Sequence, residues 1–393
     1  MAAALRNLRD GFIKEYFHMG FSCKEISSCL LFDHGIQLSE RQIKRILAKQ
    51  SLGRRRFSDF DDIIKTIEDE LKGSGSIVGY RTMWQKLIVD HQLSVSKEFV
   101  RNALLILDPD GVERRSRNRL RRRQYHAKGA NFIWHLDGYD KLKPYGFCIH
   151  GCIDGYSRRI MWLEVGRTNN HPGVVASYFL DCVESVGGTA RIVRGDMGTE
   201  NGRVAAIQRF LRDEAEDSWS GEKSFLYGRS VSNQRIEAWW GQLRKGSSEW
   251  WIQHFKDLRD RGLFCDADAV HVECLKFCYM GVLQRELQSV ARRWNIHRIR
   301  PSTRSNISPP GRPCFLYHYP EMTGGQECRF NVDADDLDVA RELCCHDLPQ
   351  NSSPDFTELA ELITREEGLR MPENGNDARA LYLTLIHEIE RIM

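Results

Sequence analysis

The sequence predicts a mixed α/β fold behind an all-helical N-terminal region, and two observations carry that prediction. From residue 131, apolar runs of strand length come first ("NFIWHL", "YGFCIHGCI", "RIMWLEV"). They then alternate with helical periodicities ("PGVVASYFLDCVESVG", "TARIVRG", "NGRVAAIQRFLRDEA"), the order of a mixed sheet with flanking helices. Before residue 110 the apolar positions recur at helical spacing, punctuated by glycines and capping residues. At 393 residues and 41% apolar, the chain is long enough for a sizeable core and two or three domains.

Residues 1–52 read as a helix-turn-helix-like module. Ile26, Leu30 and Leu31 mark one helix, Gly35 a turn, and Ser39 with Gln42 three residues on a capping-box start for "ERQIKRILAKQ". That last helix carries Arg41, Lys44, Arg45 and Lys49, which suit a DNA-binding role. A second helical module spans 57–110, with helices in "DFDDIIKTIEDEL", "YRTMWQKLIVDH" and "SVSKEFVRNALLIL". Ordinary helix pairs that touch no DNA have the same pattern; the basic context favours DNA for at least one of the two.

An arginine-rich linker follows at 111–130. Its stretch "ERRSRNRLRRRQY" holds seven arginines, among them Arg119, Arg121, Arg122 and Arg123, against one glutamate. Such density fits a solvated linker, a nuclear-import signal or an arm that tracks phosphates, and these roles can coexist. A nuclear location is the expectation.

The net charge of +3 hides an asymmetry. Residues 327–393 hold sixteen acidic side chains against six arginines, a balance of −10, so the first 326 residues carry +13 and favour a polyanionic partner. No run of eighteen apolar residues exists, and the charged N-terminus lacks the apolar block of a signal peptide, so no membrane partner is expected and the chain reads as soluble and intracellular. The twelve cysteines are scattered without recurring spacing, as reduced thiols are.

The chemistry concentrates in three acids. Phe132, Ile133, Trp134 and Leu136 form a strand that runs straight into Asp137, with Gly138 behind it. "ARIVRGDMGTEN" repeats the device at Asp196, with glycines on either side that would let a ligand or metal approach the backbone. "NQRIEAWWGQLRKG" reads as a helix with Asn233, Glu237 and Arg244 near one face. A strand-end Asp before Gly is commonly just a turn residue, and Asp154 in "IDGYS" reads that way. Asp140 lies beyond the strand end, and Glu200 caps or borders the site.

Taken in order, "WHLDGYDKL", "CIDGYSRRI", "RGDMGTEN", "NQRIEAWW" and "RRWNIHRIRP" resemble the integrase core of DDE transposases and retroviral-type integrases, closest to eukaryotic transposon-derived integrase core domain proteins. The resemblance covers about residues 131–305. The preceding helical stretch with its arginines is similar to the segment ahead of the core in some bacterial insertion-sequence transposases. The family implies an RNase H-like mixed five-stranded sheet with flanking helices, the first and fourth strands side by side and the third acid on a following helix. Carried over by position, the triad is Asp137, Asp196 and Glu237, acting as catalytic residues and metal ligands. The cofactor implied is a pair of Mg²⁺ ions, with Mn²⁺ as a substitute, since hard cations take carboxylate oxygens. DNA is the implied partner, a homo-oligomer of at least two copies the implied assembly, and DNA cleavage and strand transfer the implied reaction. The rival is a domesticated transposon-derived DNA-binding protein without recombinase activity.

Arg235, Arg244 and Lys245 are candidate phosphate contacts, though a solvated helix face predicts the same residues. Trp239 and Trp240 read as core rather than as base-stacking platforms. His18, Cys23, Cys29 and His34 do not follow the order of an integrase zinc module, and His271 to Cys278 reads as a helical face. A Pro-rich exit segment spans 306–326, and an acidic C-terminal tail with weak helical patches spans 327–393, expected mainly to be solvated.

Overall fold

The computed structural model describes residues 2–53, 57–116, 127–228, 233–301, 309–346, 348–349 and 352–392. The chain divides into two compact units, Met1–Leu120 and Arg121–Met393.

The first unit is helical. Helices α1 (Ala2–His18), α2 (Cys23–His34) and α3 (Glu40–Lys49) enclose Ile13, Ile26, Leu30, Ile43 and Leu47. Gly35 ends α2 in the left-handed conformation at φ 64°, which an L side chain resists, and the turn leads into the capping box at Ser39. There the Gln42 backbone N–H donates to Ser39 Oγ at 3.3 Å and the Ser39 N–H to Gln42 Oε1 at 2.8 Å. With Ile43 and Leu47 inward, Arg41, Lys44 and Arg45 are left exposed on α3. His34 stacks on Phe12 at 3.7 Å and bonds the Tyr16 hydroxyl, while Cys29 is buried in the core. Helices α4 (Phe60–Leu71), α5 (Tyr80–Val89) and α6 (Lys97–Leu107) close a second core around Ile67, Met83, Leu87, Val100 and Leu104. A further helix, α7 (Pro109–Ser116), occupies the start of the segment expected to be a non-periodic linker. Arg119, Arg121, Arg122 and Arg123 lie outside the described residues.

The second unit is built on a five-stranded sheet in the order β3-β2-β1-β4-β5, comprising β1 (Ile133–Tyr139), β2 (Cys148–Asp154), β3 (Ile160–Gly166), β4 (Ile192–Gly195) and β5 (Phe225–Tyr227). The first three form an antiparallel meander, while β4 runs parallel to both β1 and β5. Period-2 alternation splits the strands between two faces. Trp134, Leu136, Cys152 and Val193 pack under α8 (Pro172–Val186) and α9 (Gly202–Leu211). Tyr139, Ile149, Ile153 and Leu163 pack under α10 (Gln234–Leu243), α11 (Glu249–Asp260) and α12 (Ala269–Ile296). This is the RNase H-like α/β arrangement. Between Asp196 and Glu237 lies β5, whose three residues are too few to show a periodicity.

Asp154 is the turn residue it was expected to be. Fully buried, it accepts from the Asn131 N–H at 2.9 Å and from the Ser157 N–H and hydroxyl at 2.8 and 2.7 Å, tying the β2–β3 hairpin to the start of β1. Burial pushes its carboxyl up to about 6.

The acidic segment is no solvated tail. After the short α13 (Pro313–His318), the Cys328 N–H donates to Ala130 O at 2.9 Å, and α14 (Ala334–Cys344) places Ala340 in the core beneath α8. The two later helices, α15 (Pro354–Glu366) and α16 (Gly375–Ile392), complete the other layer. On α16, Ala378, Leu381, Tyr382, Leu385 and Ile389 line one stripe against α12, and Tyr382 bonds Leu263 O at 2.8 Å and His271 Nδ1 at 2.6 Å. The acidic composition concealed this because placement of apolar residues on one helical face, not their share of the segment, decides burial.

Among the described residues no disulfide is formed, and Cys274 and Cys278 are buried on α12. Among the described residues, no helix is long and apolar enough to cross a membrane. Because Leu385 is fully buried, Leu385→Ala is expected to cost about 2–5 kcal/mol of stability in denaturant unfolding, whereas a solvated tail would show no effect.

Candidate active site

The register of the parallel pair sets the site. Strands β1 and β4 pair residues 59 apart, Ile133 with Ile192 and His135 with Arg194, and Asp137 and Asp196 lie 59 apart two residues further on. Continued by two residues past that ladder, the register places Asp137, still inside β1, beside Asp196, just beyond β4, on the same face.

The third acid arrives on α10, which a buried asparagine fixes to β1. Asn233, just before the helix, donates from Nδ2 to Leu136 O at 2.7 Å, and its Oδ1 meets His135 Nδ1 at 2.7 Å. With the amide donating to the carbonyl, the ring nitrogen is the donor in the second bond. Burial keeps the imidazole neutral, its pKa lowered to about 3. Glu237 lies one turn beyond this anchor and Trp240 one turn further.

Asp137, Asp196 and Glu237 are all half-buried. Burial raises the Asp137 carboxyl to about 7, and the negative charges of Glu237 and Asp196 add to the rise against the indole N–H of Trp240, which donates to Asp137 Oδ2 at 2.8 Å. Asp137 thus feels both of the other acids.

Two buried asparagines support this edge. Asn201 Nδ2 donates to Asp196 Oδ1 at 2.8 Å, and Asn169 Nδ2 donates to Asp140 Oδ1 at 2.7 Å. The glycines make room for side chains of the protein itself: a Cβ on Gly138 would stand 2.7 Å from Asn169, and one on Gly195 would stand 3.2 Å from Asn201. Glu200 folds over Gly198, and its carboxyl is raised by burial and by Asp196 and Asp140. It borders the site, as its position in "GTEN" implied. Asp140 is exposed in the turn after β1.

The remaining predicted residues divide. Trp239 and Trp240 are both core, at 2% and 6% exposure. A π-helical segment, Arg244–Ser248, interrupts the run from α10 into α11, and Arg244 at its start pairs with Glu249 at 2.6 Å. Lys245 is exposed and Arg235 half-buried. Arg41, Lys44 and Arg45 belong to the other unit. The Trp240 indole, Asn169 and Asn201 were missed, since nothing in sequence separates a buried bonded asparagine from a loop asparagine.

Strand order and parallel β1–β4 pairing define an RNase H-like α/β core. Residues 124–316 match the integrase core domain family, which supports an integrase/transposase-like core in that stretch. Comparison with curated proteins finds no match.

Integrase core domains generally use divalent metal ions. Among the described residues, no three His, Cys, Asp or Glu side chains stand close enough to form a ready-made coordination shell. The donor chemistry nonetheless fits a hard cation: three carboxylates, one of them destabilised as an anion first by burial and then by the other two.

The raised Asp137 pKa has a stability consequence. A carboxyl bound more tightly to its proton in the folded state favours folding below its unfolded pKa of about 4 and loses that advantage as pH rises to about 7. Without metal, Asp137→Asn is expected to raise the melting temperature at pH 8 by about 2–4 °C, with the gain vanishing near pH 4. A gain independent of pH would contradict the assignment.

Proposed function

We propose that the chain is a DNA-binding, metal-dependent polynucleotidyl transferase that cleaves DNA and joins strands, with Asp137, Asp196 and Glu237 as its catalytic carboxylates. The observation that carries this reading is the register-matched pair of Asp137 in β1 and Asp196 just beyond β4, with Glu237 within electrostatic reach from α10. Asp137, Asp196 and Glu237 would together hold the divalent cations. Mg²⁺, with Mn²⁺ as its substitute, would supply Lewis acidity at the scissile phosphate and activate water or a DNA 3′-hydroxyl. Asn201 orients Asp196, and Asn233 sets the height of Glu237 above the sheet.

DNA would be gripped by the exposed Arg41, Lys44 and Arg45 of α3 and by the arginine run that includes Arg119 and Arg121–Arg123, with Arg235 and Lys245 beside the core. The same run would direct the protein to the nucleus, and work on paired DNA ends calls for at least a dimer.

In full-length protein supplied with DNA ends from the flanks of its own gene, wild type is expected to nick or join strands with Mg²⁺ or Mn²⁺ and no ATP, and Glu237→Gln to do neither. Salt-sensitive binding without product from wild type would identify a domesticated DNA-binding protein instead. Replacing Arg41, Lys44 and Arg45 together by alanine is expected to weaken binding and to flatten the log–log salt dependence by about 0.9 for each phosphate no longer neutralised. An unchanged slope would remove α3 from the interface.

A further inference from the structure

The bond between Trp240 and Asp137 lies outside the three-acid scheme. Helix α10 presents two side chains to Asp137 from successive turns, the Glu237 carboxylate and the Trp240 indole. The indole nitrogen is a donor only, so its 2.8 Å bond to Oδ2 fixes one carboxylate oxygen and with it the plane of the group. The ring is itself immobilised, 6% exposed, with the Tyr139 ring centroid at 5.2 Å and that of Trp239 at 5.4 Å.

The sheet provides a matching recess. Gly151 of β2 is the cross-strand partner of Asp137, and a Cβ there would stand 2.8 Å from the Trp240 ring, at Cη2. Cross-strand partners project to the same face, so the missing side chain of Gly151 is what lets the indole lie beside Asp137. Acid, glycine and indole fit together as one unit.

We infer that Trp240 is a positioning residue, holding the Asp137 carboxylate in the orientation in which it receives a divalent cation. The inference rests on the metal-site reading above. Groups that hydrogen-bond a metal-ligating carboxylate fix its geometry, and their loss typically costs about 10–100-fold in metal affinity. Trp240→Phe removes the N–H and keeps a ring in the core, whereas Gly151→Ala keeps the N–H and pushes the ring away.

The test is Mn²⁺ binding to full-length protein by calorimetry, with the metal-free melting temperature as a control for folding. Trp240→Phe is expected to weaken Mn²⁺ binding about 10–100-fold with only a small change in melting temperature. Gly151→Ala should weaken it as well, and the double variant should bind no worse than Trp240→Phe, because both changes break the same hydrogen bond. Should Trp240→Phe not fold, Gly151→Ala alone decides. Mn²⁺ binding in either variant as tight as wild type, or tighter, overturns the inference. Binding lost in Asp137→Asn but retained in Trp240→Phe would overturn it and leave the metal site standing. Binding unaffected by Asp137→Asn would overturn the metal site and this inference together.

Discussion

The parallel pairing of β1 with β4 is the constraint on which the second unit depends. In a parallel ladder the offset between partners is constant, so the 59-residue register that pairs Ile133 with Ile192 carries Asp137 to the side of Asp196 with no further instruction. A slip of one residue would turn one acid to the opposite face and expose the apolar set of its strand. Trp134, Leu136 and Val193, all fully buried, hold the register from the other face. The apolar core thereby specifies the separation of two charged groups it does not touch.

That arrangement opposes stability locally. Burial, reinforced by the negative charges of Glu237 and Asp196, makes Asp137 resist ionisation at this half-buried edge. The surrounding bonds have a common purpose. Asn233, Asn201 and the Trp240 indole each hold an element or a carboxylate that repulsion would otherwise displace. Such local conflict is characteristic of functional edges, and here the packed layers on both sides of the sheet offset it.

The parts legible in the sequence were those governed by short-range pattern. The capping box at Ser39, the Asp154 turn and the order of the strands follow from periodicity and residue type within a few positions. The RNase H-like topology came from five motifs in order rather than from any one of them. The rest depends on contacts between distant residues. Asn169 and Asn201 look like loop residues until the sheet brings them against Asp140 and Asp196. Gly151 acquires its meaning only from an indole 89 positions later. The acidic helices were obscured because net charge describes their outer faces, while Leu381, Tyr382 and Leu385 decide where they sit.

The placement of α16 also bears on how the protein comes into being. The first unit is assembled from neighbouring helices, all within residues 1–120. The sheet, by contrast, starts at Ile133 and has part of its covering layer supplied by residues 375–392. During synthesis from the N-terminus, the helical unit can fold as soon as it emerges, but the core face above Tyr139 and Ile149 stays incompletely covered while more than 200 further residues are made. The acid-bearing edge therefore gains its full support only late in translation. A nascent chain whose helical unit has already folded must therefore wait for its last helix before the edge that carries Asp137, Asp196 and Glu237 is fully buttressed.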